Sequence, residues 1–93
     1  MGVEYRFDER SYDALNAADV NWRLAVWVLT SAPPPRVRRH LGTVLQVAAL
    51  TDAGWLAVLL AEEDDDEYLV VGGRWLDEDE VTAMTKITER GEW

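Results

Sequence analysis

From residue 44 to residue 74 the chain alternates apolar, strand-forming runs with turn-forming residues, a pattern that commits it to folding back on itself as an antiparallel sheet. Residues 44–50 read as a strand, Thr51-Asp52-Ala53-Gly54 as a turn, and 55–60 as the partner strand. Gly54 has no Cβ to oppose a positive φ, so it closes the hairpin. The acidic stretch 62–67 makes the second turn, and 68–71 returns as a third strand running into Gly72-Gly73-Arg74. A glycine pair at a strand end lets the backbone bend there or be approached closely.

The flanking segments add helices. Val3-Glu4-Tyr5-Arg6-Phe7 alternates as a short half-buried strand does, and Asp8 then caps a helix through about Ala17. Residues 22–29 are open to two readings. Asn21 is a good N-cap and Trp22, Val26 and Leu29 have helical spacing, yet the run from Leu24 is also a continuous apolar strand pattern. The cap and the abrupt stop at Pro33-Pro34-Pro35 favour a helix. The prolines deliver residues 36–40 as an extended arm. At the other end Asp77 and Glu80 form a capping box, Leu76 and Val81 a hydrophobic staple, and Val81, Met84 and Ile87 an apolar stripe. The expected architecture is a single α+β domain over 1–93: a short strand, two helices, a three-stranded antiparallel meander and a C-terminal helix.

Charge restricts the function. Residues 1–40 hold six Arg against five acids, a net of +1, whereas 41–93 hold two Arg and one Lys against thirteen acids, a net of −10. An acidic half does not suit unaided nucleic-acid binding, where phosphate neutralisation supplies most of the affinity. With no Cys in the chain, disulfides and thiolate metal sites are excluded. Residues 62–67 lack the alternating oxygen ligands and central Gly of a calcium loop, so no metal or cofactor is expected. No leader pattern opens the chain and no apolar stretch is long enough for a bilayer, which points to a cytoplasmic protein without membrane contact.

Few residues can do chemistry. Arg36, Arg38, Arg39 and His40 form one basic cluster. Either the Arg groups grip phosphate while His40 moves a proton near neutral pH, or the arm pairs with the protein's own acidic turns. Arg74, at the end of a strand, is a candidate anion contact or a partner for Glu78 or Glu80. Glu80 is a candidate base or a capping residue. Trp22, Trp27 and Trp55 read as core. Trp75 and Trp93 lie beside polar segments and are candidates for a partner interface.

In order, these elements and residues resemble the BrnT family, the toxin half of bacterial type II toxin–antitoxin pairs with a RelE-like ribonuclease fold. Tyr5-Arg6-Phe7-Asp8-Glu9 resembles the family's aromatic-Asp entry into its first helix, and Val20-Asn21-Trp22 with Ala25-Val26 its second helix. Gly54-Trp55-Leu56-Ala57-Val58-Leu59 resembles its glycine turn and strand, and Leu69-Val70-Val71-Gly72-Gly73-Arg74 its final strand. Glu80 stands where the family's helix carries a Glu. The resemblance implies a metal-independent RNA endonuclease neutralised by a small antitoxin, with Arg36, Arg38 and Arg39 on RNA and His40, Arg74 and Glu80 at the scissile bond. Around Arg74 the family is basic and carries a Tyr one turn on; here Asp77, Glu78 and Asp79 surround it and Met84 takes the Tyr place. The alternative is a non-catalytic binding or inhibitor protein whose acidic half docks on a basic partner, by nucleic-acid mimicry for example. A homodimer through a meander edge or an exposed Trp is a third arrangement.

Overall fold

A computed structural model describes residues 2–91. The elements are β1 (Glu4–Arg6), α1 (Glu9–Ala17), α2 (Trp22–Thr30), β2 (Arg36–Leu41), β3 (Val44–Thr51), β4 (Gly54–Asp64), β5 (Glu67–Trp75) and α3 (Glu78–Arg90). The strands form one mixed sheet in the order β1-β5-β4-β3-β2, with β1 parallel to β5 and the other pairs antiparallel. The chain is thus α+β, and no described helix is long and apolar enough to cross a membrane.

Two expectations about the sheet are corrected. The meander has four strands, because the arm after the prolines is itself a strand, β2, paired with β3 from Arg36↔Ala49 to Leu41↔Val44. Gly42, at φ 66°, opens the two-residue turn that makes this hairpin possible. The acidic second turn is also shorter than expected. β4 runs to Asp64 and β5 starts at Glu67, so Asp65 and Asp66 alone make the turn, with Asp66 at φ 59°. Asp tolerates that left-handed region better than most residues.

The three helices start where the sequence places their caps. Asp8 accepts from Ser11 N at 3.0 Å, Asn21 from Arg23 N at 2.9 Å, and Asp77 from Glu80 N at 2.9 Å. The ambiguous segment is helix α2. It buries Ala25, Val28 and Leu29, one face at i, i+3 and i+4 spacing.

The main core lies between the sheet and α1 and α2. Leu15, Val20, Val28 and Leu29 meet Leu45, Val47, Leu56, Val58, Leu60 and Val70. On the opposite face Met84 of α3 packs into a smaller cluster of Val37, Ala48, Trp55 and Ala57, joined by Leu76, Val81 and Ile87.

The closing glycines of β5 are explained by a bulge. Leu60 pairs with Val70 and Leu59 with Gly72, so Val71 is an extra residue without a cross-strand partner. Past it, both Gly72 and Gly73 face α1. A Cβ on Gly72 would lie 3.9 Å from Ala14 Cβ, while one on Gly73 would lie 2.9 Å from Leu15 Cδ2 and 3.4 Å from the Ala57 carbonyl oxygen. The fully buried Ser11 ties the same place together. Its hydroxyl donates to the Val70 carbonyl and accepts from Asp8 N at 3.0 Å.

The two glycines are expected to respond differently to the same change. Neither has a positive φ, so Gly72→Ala is near neutral or stabilises by less than about 1 kcal/mol through the unfolded chain. Gly73→Ala pushes against the buried Leu15 and costs about 1–3 kcal/mol. Urea unfolding midpoints check this, and equal midpoints for the two variants contradict the close approach of α1.

Candidate functional site

Alternation along β2 and its register with β3 decide where the basic cluster points. Val37 belongs to the α3-side cluster, so Arg39 and Leu41 share that face, while Arg36, Arg38 and His40 face the α1/α2 side. Arg36 reaches back to α2, where Nη1 donates to the Leu29 carbonyl at 3.2 Å. It therefore satisfies an orphan carbonyl of the last helical turn, a placement the helix dipole also favours. Arg38 lies on the face that carries Tyr68. Burial and then the Glu62 carboxylate push the Tyr68 phenol up, and the Arg38 charge opposes them. The Arg38, Arg39 and His40 side chains are exposed and make no ion pair or hydrogen bond among the described residues.

Arg74 is elsewhere. Cross-strand register runs Arg74↔Ala57, Ala57↔Ala48 and Ala48↔Val37, which places Arg74 on the α3 side. It is three strand spacings from β2, about 14 Å. There Glu80 holds it with both carboxylate oxygens, Nη1 to Oε1 at 2.7 Å and Nη2 to Oε2. Glu80 Oε1 also accepts from Asp77 N at 3.2 Å. One carboxylate thus closes the capping box and clamps the Arg, two uses that leave it poorly placed to act as a base. The Arg74 hydrogen bond, followed by the Asp77 amide, lowers the Glu80 pKa from 4.5 to about 2, while the same contact raises that of Arg74.

The candidates for chemistry are therefore not brought together. His40 and Arg38 are on one face at the sheet edge, Arg39 is on the other, and Arg74 with Glu80 sits across the sheet. Among the described residues no group of three or more His, Asp or Glu is placed to hold a metal.

The aromatic residues also sort differently from the sequence reading. Trp75 packs on the main core and its Nε1 donates to the Asp19 carbonyl at 3.3 Å, tying β5 to the α1–α2 loop. Trp93 lies outside the described residues. Trp22, expected in the core, is 43% exposed. It stands edge-on to Tyr12 at 6.0 Å, Tyr12 stacks on Phe7 at 5.6 Å, and the Arg23 guanidinium lies 5.4 Å from the Trp22 ring. Trp22 has the i, i+3 and i+7 spacing of Ala25 and Leu29, so helical spacing groups it with the buried face. As the first residue of α2 it meets Tyr12 of α1 instead, which that spacing does not reveal. Leu24 and Trp27 of α2 line a groove of about 650 Å³ with Pro33 and residues 50–53 of the β3–β4 turn.

The clamp makes a pH prediction. A carboxylate whose folded pKa lies below its unfolded value contributes stability above the unfolded value, and that contribution is lost as pH falls through the folded one. For Glu80 the window runs from 4.5 down to about 2. Glu80→Gln keeps a capping-box side chain but loses the charge. It is expected to be less stable than wild type at pH 6 and to approach it at pH 2.5 in urea titrations. A stability difference that stays constant across the window contradicts the clamp.

Compared with family models, with curated proteins and with solved structures, the chain matches none significantly.

Proposed function

We propose that this is a non-catalytic binding protein, on a scaffold resembling that of BrnT-like toxins, whose acidic end docks on a basic partner. The observation that carries this reading is the separation of the groups a nuclease needs. A general acid or base and the cation that stabilises charge on phosphate must meet within a few ångströms of one reacting atom. His40 and Arg74 are on opposite faces, and Arg74 is already neutralised by Glu80.

The far end of the sheet supports the positive half of the proposal. The β4–β5 tip carries Glu62, Glu63, Asp64, Asp65, Asp66 and Glu67, and β1 adds Glu4 in register with Glu67. Among the described residues the one ion pair there is Arg6 with Glu63, at 3.0 Å. So dense a negative field steers a basic surface toward the tip and loses strength as salt rises.

A second reading is an RNA-cleaving toxin held by a small antitoxin. What favours it is the set Arg38, Arg39 and His40, without partners among the described residues, in a chain otherwise rich in carboxylates. It uses the RNA 2′-hydroxyl as nucleophile and His40 as the proton-transfer group. Two assays separate the readings. Purified chain incubated with cellular RNA is expected to leave it intact, and cleavage lost on His40→Ala or Arg74→Ala would establish the toxin instead. In pull-downs at low salt, wild type is expected to retain a basic protein that elutes with salt and that a Glu62→Gln, Asp64→Asn, Asp65→Asn variant does not retain. Recovery of no basic protein, or equal recovery by the variant, counts against docking at the tip.

A further inference from the structure

The two faces of the sheet are not covered alike. Two helices lie on one face, and α3 alone lies on the other, over Val37, Ala48, Trp55 and Ala57. Beyond these residues the α3-side face continues toward the acidic tip as an apolar surface. Leu41, Val44, Ala61 and Leu69 are successive cross-strand partners on β2, β3, β4 and β5, so they form one row. Leu59 and the bulge residue Val71 lie next to that row. Leu41 is 47% exposed and Val71 41%, and the other four are half-buried. A continuous apolar surface on a chain this rich in charge marks an interaction site.

The surroundings define what fits. Four strands span about 14 Å, room for one helix of 10–12 Å diameter beside α3. A second helix there would complete the layer as α1 and α2 do opposite. Charge is graded across the patch. Arg39, without a partner among the described residues, is next to Leu41 at the β2 end, and Glu63 and Glu67 border the β5 end. Gln46, in register between Arg39 and Leu59, is 4% exposed, and its Oε1 has no hydrogen-bond donor among the described residues. Gln46 is thus already covered, and the open part of this face begins at the Leu41–Leu69 row.

We propose that the open half of this face receives an amphipathic helix of the basic partner. The helix lays an apolar stripe on the Leu41–Leu69 row, places Lys or Arg over the acidic tip, and sets a carboxylate opposite Arg39. This rests on the docking reading above and names the element that docks. Helix-in-groove recognition of this kind draws its affinity from the apolar anchors and its orientation from the flanking charges.

The test is a displayed library of amphipathic helices with a fixed Leu stripe and randomised polar positions, selected against the full chain. Enriched helices are expected to carry cations on one flank and acids on the other. Leu41→Asp and Val71→Asp, both at exposed positions and checked by thermal unfolding, are expected to weaken binding about tenfold or more, and Arg39→Glu to weaken the acid-flanked helices. No enrichment, enrichment without the charge pattern, or binders indifferent to Leu41→Asp and Val71→Asp overturn the proposal. So does a concentration-dependent dimer in light scattering that Leu41→Asp dissolves, since a second copy would then cover the row. Binders that ignore both substitutions but are lost when the tip carboxylates are neutralised overturn this placement and leave docking at the tip standing.

Discussion

One extra residue in β5 decides which groups can meet in this protein. Val70 faces the main core, and simple alternation from there would turn Arg74 to the same side as Arg38 and His40. The bulge at Val71 shifts the parity. Gly72 and Gly73 both face α1, Trp75 joins the main core, and Arg74 emerges on the α3 side within reach of Glu80. The contacts around the bulge hold it in place. Ser11 takes the Val70 carbonyl, and Leu15 fills the space that a side chain on Gly73 would need. The packing of α1 and the fate of Arg74 are therefore consequences of the same local irregularity.

The distribution of charge follows from the same frame. Every strand from β2 to β5 brings one side-chain set to the main core and the other to the α3 side, while the acids at the end of β4, in its turn and at the start of β5 gather at one end of the sheet. Arg6 offsets one of them and the remaining field is directed outward. At the other end of the sheet the four acids of residues 77–80 are absorbed locally, where Asp77 caps α3, Glu80 clamps Arg74, and the positive end of the helix dipole favours Glu78 and Asp79. Two acidic runs of similar composition thus have different meanings: one stabilises a helix terminus, and the other is a surface.

What could be read from the sequence was whatever depends on near neighbours. Asp8, Asn21 and Asp77 act within one helical turn, and all three caps are where they were expected. Strands β3 and β4 are apolar enough to be recognised alone. β2 escaped because Arg36, Arg38, Arg39 and His40 hide the single buried Val37 that gives it a strand's alternation. The parallel pairing of β1 with β5 joins residues more than sixty positions apart, and nothing in Glu4-Tyr5-Arg6 announces it. The Arg74–Glu80 pair was one of two partners the sequence allowed. The face on which Arg74 stands was not legible, since it turns on a bulge that only the register with β4 reveals. The apolar row of Leu41, Val44, Ala61 and Leu69 needs the register of four strands at once.

The central claim is that Arg74 belongs to the α3 side of the sheet, bound to Glu80 and separated from His40. Nuclear Overhauser contacts of the Arg74 side chain measure this directly in the folded protein at neutral pH. The account predicts cross-peaks from the Arg74 guanidinium and methylene protons to Glu80 and Ala57, lost for Glu80 when it is replaced by Ala. Cross-peaks from Arg74 to Val58, Arg38 or His40 would contradict it and would return these residues to one site.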